Sequence, residues 1–410
     1  MFKLPTRLND KRTKQLLSLY GASFISIILG IAVSVTTTRL LGKEEFGNFR
    51  YISNIFMFLS SLVYFGFFVT GGRVLATNKE ENNAGEIKGA LILLSICSFI
   101  VLLVSIIIAV VVHFYLGQNN IALSILIVSP LAIGYPLQNM LENVYQGENK
   151  IYSLSILRTL SQFLFLVISL IIFNTIKING QHALMLQLSL NLIVLICLIY
   201  LIKPSFKRTK TYLIQLFHEN KNYGFHVYIG SLLAVSTSYI AGITLGLFNN
   251  TVQVGYFTLA VTISGPITLI PGIIGTTYFK DFSEMKRIPS KLMLNAIFFS
   301  SLVLVVFCLL SKYLVNFLYG KEYEAVVGIV IPLAIGALIH GFGDLFNRFW
   351  GAQGRGKILR NVAALVGLCV IFGNTVITYF FQINGAVITK VLGSIVYLSG
   401  MLYYYYRIKI

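Results

Sequence analysis

Apolar residues run in stretches of about eighteen or more along the whole chain, and short polar stretches separate them. Each stretch reaches the ~20 residues that cross ~30 Å of hydrocarbon as a helix. Twelve spans are predicted, at 16–40, 47–70, 88–115, 120–146, 151–174, 181–202, 223–248, 254–280, 291–318, 325–351, 357–381 and 385–407. Lipid offers the backbone no hydrogen bonds, so spanning segments must satisfy their own polar groups, and runs of this length do so as helices. The expected fold class is an all-α polytopic membrane protein of about 12 transmembrane helices.

Composition excludes the other classes. Of 410 residues, 56% are hydrophobic and 11% charged, with a mean hydropathy of +0.81. A soluble domain carries about 25% charged residues, so this chain could not cover a water-facing surface. The apolar content excludes disorder. Four cysteines in 410 residues exclude a disulfide scaffold. Cys97, Cys197, Cys308 and Cys369 each lie alone in an apolar run and read as small buried hydrophobes. No metal-ligand spacing or nucleotide-binding glycine loop stands out, so no metal or cofactor is expected.

The net charge of +18 would suggest nucleic acid in a soluble protein. Here it marks topology. Lys and Arg gather at the N-terminus, in the connections near 71–88, 147–150, 203–222, 280–291 and 352–360, and at the C-terminus. The intervening connections are poor in both, with Lys43, Lys177, Lys312 and Lys321 and the helix-end Arg39 and Arg50. The positive-inside rule then places both termini in the cytoplasm. No small-residue cleavage site follows the basic N-terminus, so the first span is expected to stay. The longest connection, 203–222, is basic with an apolar patch at Tyr212, Leu213, Ile214, Leu216 and Phe217. It is expected to be a cytoplasmic amphipathic linker between six-helix lobes at 1–202 and 223–410.

The halves echo each other. Pro130-Leu131-Ala132-Ile133-Gly134 recurs as Pro332-Leu333-Ala334-Ile335-Gly336, and Gln146-Gly147 with Lys150 as Gln353-Gly354 with Lys357. Ile178-Asn179-Gly180 recurs as Ile383-Asn384-Gly385, and Gly47-Asn48-Phe49 resembles Gly255-Tyr256-Phe257. Six spans per copy make these parallel repeats, two bundles related by a pseudo-two-fold axis along the membrane normal. Carriers built this way place the substrate route between the halves.

Ionisable side chains at hydrocarbon depth are the candidate functional residues. At ~1.5 Å per residue, Arg158 lies about 10 Å into its span, Lys390 about 8 Å and Arg50 about 5 Å. His340 is near the midplane, and His340, Asp344 and Arg348 share one helix face at i, i+4, i+8. Asp344 and Arg348 could equally form a structural ion pair. Glu142 sits about 6 Å in, and with Asp344 is a candidate for ion coupling. The set is mostly basic and suits a phosphate or pyrophosphate. Asn54, Asn139, Asn143, Gln162, Asn191, Ser236, Thr237, Ser238, Asn361 and Asn374 are expected to serve mainly helix–helix hydrogen bonds. Pro130, Pro136, Pro266, Pro271 and Pro332 permit bending, most of all in 254–280.

Four stretches resemble a known family. Arg39-Leu40-Leu41-Gly42-Lys43-Glu44-Glu45-Phe46-Gly47-Asn48-Phe49 is similar to the junction of the first two helices in Wzx-type polysaccharide flippases. These belong to the multidrug/oligosaccharidyl-lipid/polysaccharide exporter superfamily. Val254-Gly255-Tyr256-Phe257-Thr258-Leu259-Ala260, Leu318-Tyr319-Gly320-Lys321-Glu322-Tyr323 and Ile383-Asn384-Gly385-Ala386 resemble later segments in the same order. The resemblance implies two six-helix bundles around a cationic cavity in a bacterial cytoplasmic membrane. It implies transfer of an undecaprenyl-pyrophosphate-linked oligosaccharide, an O-antigen or capsule unit, to the outer leaflet. H⁺ or Na⁺ would be the coupling ion, and membrane lipids and the polysaccharide polymerase machinery the partners.

Two departures matter. Relatives often carry an acid mid-way along the seventh helix, where this chain reads Ser238-Tyr239-Ile240-Ala241-Gly242-Ile243. The first span also lacks the arginine of the related lipid II flippases, which argues against that cargo. The alternatives are a drug/cation antiporter of the same superfamily and, in a different class, a membrane polysaccharide polymerase or glycosyltransferase. The antiporter would need more intramembrane carboxylates. The enzyme would need larger outer loops than the ~13 residues found here, which hold only Glu44, Glu45, Glu322 and Glu324 as acids.

Overall fold

The computed structural model describes residues 11–77, 83–172, 176 and 178–407. Lys3, Arg7, Lys79, Lys177 and Lys409 of the charge pattern lie outside the described residues, as do the side chains of Ser236 and Thr237. Sixteen α-helices follow in order: α1 (Lys11–Leu62), α2 (Phe67–Thr77), α3 (Ala84–Tyr115), α4 (Asn119–Val128), α5 (Gly134–Gly147), α6 (Ile151–Ile172), α7 (Gly180–Leu201), α8 (Thr209–Glu219), α9 (Phe225–Phe248), α10 (Thr251–Ser264), α11 (Leu269–Thr277), α12 (Phe279–Phe282), α13 (Ser290–Tyr319), α14 (Ala325–Ala352), α15 (Gly356–Phe372) and α16 (Thr378–Arg407). Among the described residues, nine segments are long and apolar enough to cross a membrane. The longest hold two passages each. α1 breaks at Gly42, where φ is +71°, and the 356–407 segment breaks at Gln382, where φ is +53°. With α9 as the remaining passage, the chain is a 12-helix polytopic membrane protein.

Several boundaries follow from local chemistry. Asn179 caps α7 by accepting from the His182 backbone N–H at 2.9 Å, and Asn250 caps α10 through Gln253 at 3.0 Å. Pro130 and Pro266 each fall in a 3₁₀ turn, 129–133 and 265–268, that interrupts a span. Proline lacks the N–H that a continuous helix would bond at these points. Pro332 instead stays inside α14. The Gln382 break is held from α10: Gln253 donates Nε2 to Gln382 Oε1 at 3.0 Å and accepts from the Ile383 N–H at 3.1 Å.

The expected span 47–70 ends early. The helix stops at Leu62, and the chain turns through Phe65 and Gly66, both at positive φ, before α2. Gly66 here meets the backbone of Gly224 closely enough that a Cβ on either would overlap the other segment. Asn220 seals the turn, donating Nδ2 to the Phe65 carbonyl at 3.0 Å and accepting from the Thr70 hydroxyl at 2.9 Å. Tyr228 donates to the Leu62 carbonyl at 2.6 Å. The 203–222 connection forms α8, whose Tyr212 and Leu216 are buried while Ile214 and Phe217 are exposed.

The chain divides into two compact units. Unit 1 holds residues 1–40 and 55–232, and unit 2 holds 41–54 and 233–410. The core of unit 1 gathers Leu91, Met140, Leu141, Val144, Leu195 and Leu216 from α3, α5, α7 and α8. A smaller cluster joins Val33, Phe165 and Leu190. The core of unit 2 at one end is aromatic, with Phe282, Phe349, Trp350 and Tyr405 at ring separations of 5.3–6.4 Å. Residues 41–54 bury Phe46, Phe49 and Tyr51 in unit 2, the Tyr51 ring lying against Gly246.

One repeat appears in a different register. Asn149 and Gly354 are the left-handed residues that close matching helix ends. Asn149 N–H bonds Gln146 O at 3.1 Å and Gly354 N–H bonds Gly351 O at 3.0 Å. Lys150 N–H bonds Tyr145 O at 2.8 Å and Arg355 N–H bonds Trp350 O at 3.0 Å. The backbone therefore matches Glu148-Asn149-Lys150 to Gln353-Gly354-Arg355, two residues away from the register that Gln146-Gly147 and Gln353-Gly354 suggest.

Gly224→Ala is expected to lower stability by about 1–3 kcal/mol through overpacking, because its methyl would strike the Thr70 hydroxyl and the Asn220 amide. Gly265→Ala, where a Cβ meets nothing within 4 Å, should be near neutral. Thermal unfolding of both purified variants in detergent checks the contrast.

Candidate functional site

The charged face of α14 meets α16 because glycine lets the helices approach. A Cβ on Gly336 would press Val391 at 3.2 Å, and one on Gly343 would overlap the Tyr397 ring. Tyr397 thus lies flat along α14. Its ring stacks on His340 at 4.8 Å between centroids, and its hydroxyl donates to Asp344 Oδ1 at 3.0 Å. Asn347 hydrogen-bonds the same tyrosine hydroxyl. His340 Nε2 stands 4.0 Å from Asp344 Oδ1, one helical turn away. Lys390, half-buried on α16, acts electrostatically on His340, and Asp344 acts on Lys390.

Asp344 and Arg348 do not form the ion pair that their spacing allows; among the described residues Asp344 is engaged by His340 and Tyr397. Arg348 runs its stem over Gly275 of α11, where an added Cβ would lie 2.7 Å from Arg348 Cδ. Its side chain is exposed. The result is one carboxylate among His340, Arg348 and Lys390, with Tyr397 and Asn347 as neutral partners. Such a set holds an anion by charge and by directed N–H and O–H donors.

The remaining candidates fall elsewhere. In unit 1, Arg158 of α6 lies 4.0 Å from Glu142 of α5, both partly buried. Glu142 accepts from Gln138 at 3.4 Å, and Gln138 accepts from Asn191 of α7 at 3.2 Å. This polar chain ties three helices and leaves the Arg158 charge offset by a carboxylate. Arg50 is in unit 2, with its guanidinium 5.1 and 5.2 Å from the Phe46 and Phe49 ring centroids. Its Nε is buried without a hydrogen-bond acceptor.

A buried charge cluster lies outside the predicted set. Glu148, just past α5, pairs with Lys88 of α3 and with Lys150 at 2.8 Å. Lys88 also donates to the Ile202 carbonyl at 3.3 Å, which fastens the end of α7. Burial alone would push the Glu148 carboxyl up, but the two ammonium groups outweigh it and hold it below its usual range.

A family model described as "Polysaccharide biosynthesis protein" matches residues 13–286, more than half of the chain. The chain belongs to the polysaccharide biosynthesis protein family. A similar member is the capsular polysaccharide biosynthesis protein CapF of Staphylococcus aureus, 21% identical over 412 residues, covering 95% of this chain and 98% of CapF. Two solved structures share the fold. The lipid II flippase MurJ in an inward closed conformation has a TM-score of 0.73 at 14% identity, covering 94% of this chain and 86% of that one. An inward-facing multidrug resistance transporter of the MATE family and MOP superfamily has a TM-score of 0.64 at 16% identity, covering 95% and 97%. This polysaccharide biosynthesis protein therefore shares its fold with membrane transporters.

A carboxylate held down by its partners stabilises the fold above its ordinary value of 4.5, and that stability is lost as pH falls through the lower native value. Glu148→Gln should lower the melting temperature at neutral pH and remove this acid-limb dependence. Thermal melts of both proteins between pH 3 and 7 measure it.

Proposed function

We propose that the chain is a flippase that carries an undecaprenyl-pyrophosphate-linked oligosaccharide, an O-antigen or capsule repeat unit, from the cytoplasmic to the outer leaflet. The observation that carries this reading is the α14–α16 cluster, in which His340 and Lys390 act on a single carboxylate, Asp344, and Arg348 acts on its partner Tyr397. A basic excess at hydrocarbon depth costs several kcal/mol unless it meets water or an anion. A pyrophosphate would supply that anion, with the guanidinium of Arg348 offering paired donors. The polyprenyl tail would remain in lipid.

In this reading the protein sits in a bacterial cytoplasmic membrane with both termini in the cytoplasm, as the basic connections support. Asp344 and Glu142 would take the coupling H⁺ or Na⁺. Family membership supports a polysaccharide cargo, and the fold shared with MurJ supports a lipid-linked one.

A deletion strain tests the proposal. Its lipid-linked oligosaccharide should build up facing the cytoplasm, with loss of surface polysaccharide. Unchanged lipid intermediates with altered drug or cation tolerance would replace the proposal with an antiporter. Arg158→Ala and Lys390→Ala should each reach the membrane at normal levels yet restore surface polysaccharide about 10–100-fold less well, the equivalent of one charge-assisted contact. Full complementation by both would remove the cationic site.

A further inference from the structure

The two units finish the same turn with opposite chemistry. In unit 1 the residue before the left-handed position is Glu148, and its carboxylate neutralises Lys88 and Lys150. At the matching position in unit 2 stands Gln353, a neutral amide. Gln353 spends its donor on the connection after α12, bonding Met285 O at 2.9 Å and Phe282 O at 3.5 Å. The Tyr405 hydroxyl accepts from the Ile288 N–H at 2.9 Å and fastens the other side of that connection. These bonds bring residues 282–288, the start of α13, the start of α15 and the end of α16 to one end of unit 2.

That end is strongly basic. Lys286, Arg287, Lys291, Arg355, Lys357 and Arg360 are all exposed there, and among the described residues none forms an ion pair. The acids of the same connection are Asp281 and Glu284, also exposed. Arg355 occupies the place of Lys150 without a counterpart to Glu148.

The depth of the patch selects its partner. Leu294 on α13 and Leu365 and Leu368 on α15 are widely exposed apolar residues. They begin about 4–8 Å further along each helix from Lys291 and Arg360, at ~1.5 Å per residue. Tyr403 and Tyr406 are exposed at the end of α16, and aromatic residues of this kind favour the headgroup layer. The cations therefore stand at headgroup depth beside a lipid-facing belt. At that depth the phosphates of anionic phospholipids are the groups complementary to these cations.

We propose that this end of unit 2 is a binding site for anionic phospholipid headgroups, built by the exchange of the Glu148 carboxylate for the Gln353 amide. Unit 1 closes its own charges at the equivalent turn and leaves no such site there. This goes beyond the cargo reading and does not depend on it, since the readout is retained lipid rather than transport.

The full-length protein, purified from membranes and equilibrated with equal phosphatidylglycerol and phosphatidylethanolamine, tests it by native mass spectrometry. Wild type is expected to retain phosphatidylglycerol preferentially. Arg355→Gln/Lys357→Gln/Arg360→Gln should reduce that preference about fivefold or more. A second variant, Lys286→Gln/Arg287→Gln, alters the facing connection and should reduce it independently. Lys203→Gln/Lys207→Gln/Lys210→Gln in the linker of unit 1 should reduce it less than either unit 2 variant. Equal retention of both lipids by wild type would overturn the proposal. So would an unaltered preference in both unit 2 variants, or an equal loss in the linker variant.

Discussion

A charge inside hydrocarbon has to meet a counter-charge, a polar partner or water within the protein. This constraint organises both units. In unit 1, Arg158 turns to Glu142, and Glu142 is joined through Gln138 to Asn191, so one polar chain connects α5, α6 and α7. Lys88 is held between the Glu148 carboxylate and the Ile202 carbonyl, which locks the ends of α3, α5 and α7 together. In unit 2, the same need draws Tyr397 across to Asp344, and Gly343 makes room for the ring. Packing and charge satisfaction are one problem here, because small residues at the helix contact decide which polar groups can reach each other.

The units resolve the problem unequally. Unit 1 pairs Arg158 with Glu142, and Lys88 and Lys150 with Glu148. Unit 2 places His340, Lys390 and Tyr397 about Asp344, with Arg348 on the same helix face, and has an amide at the end of α14 where unit 1 has an acid. Duplication supplies two copies of a helical framework, and substitutions within it assign different charge to each copy. An anionic cargo needs a cationic surface at membrane depth, and a scaffold that neutralised every charge internally would have none to offer.

Much of this was readable from residue types. The twelve apolar runs and the short helix of the 203–222 connection follow from local pattern. The break at Phe65 and Gly66 was hidden, because Tyr64, Phe65, Phe67 and Phe68 continue the apolar run. It rests on Gly224 and Asn220, far away in sequence. The assignment of residues 41–54 to unit 2 was equally hidden, since it depends on the fit of Tyr51 against Gly246. Within the site, the spacing put His340, Asp344 and Arg348 on one face but could not say which neighbour Asp344 prefers. Tyr397 decides that from another helix, and only its heptad spacing from Lys390 on the last span hinted at it. The short Gln-Gly repeat pointed to the right turn in the wrong register, because backbone handedness at Asn149 and Gly354 sets the match rather than side-chain identity.

The central claim is that this charge arrangement carries a pyrophosphate-linked oligosaccharide across the bilayer. Reconstitution tests it most directly. Purified protein in sealed vesicles would be given the undecaprenyl-pyrophosphate oligosaccharide confined to one leaflet, and a membrane-impermeant lectin would report arrival of the sugar on the other. Expected is protein-dependent exposure of the sugar, abolished by excess soluble pyrophosphate competing for the cationic cluster. Exposure no faster than in protein-free vesicles, across imposed pH, sodium and voltage gradients, would contradict it.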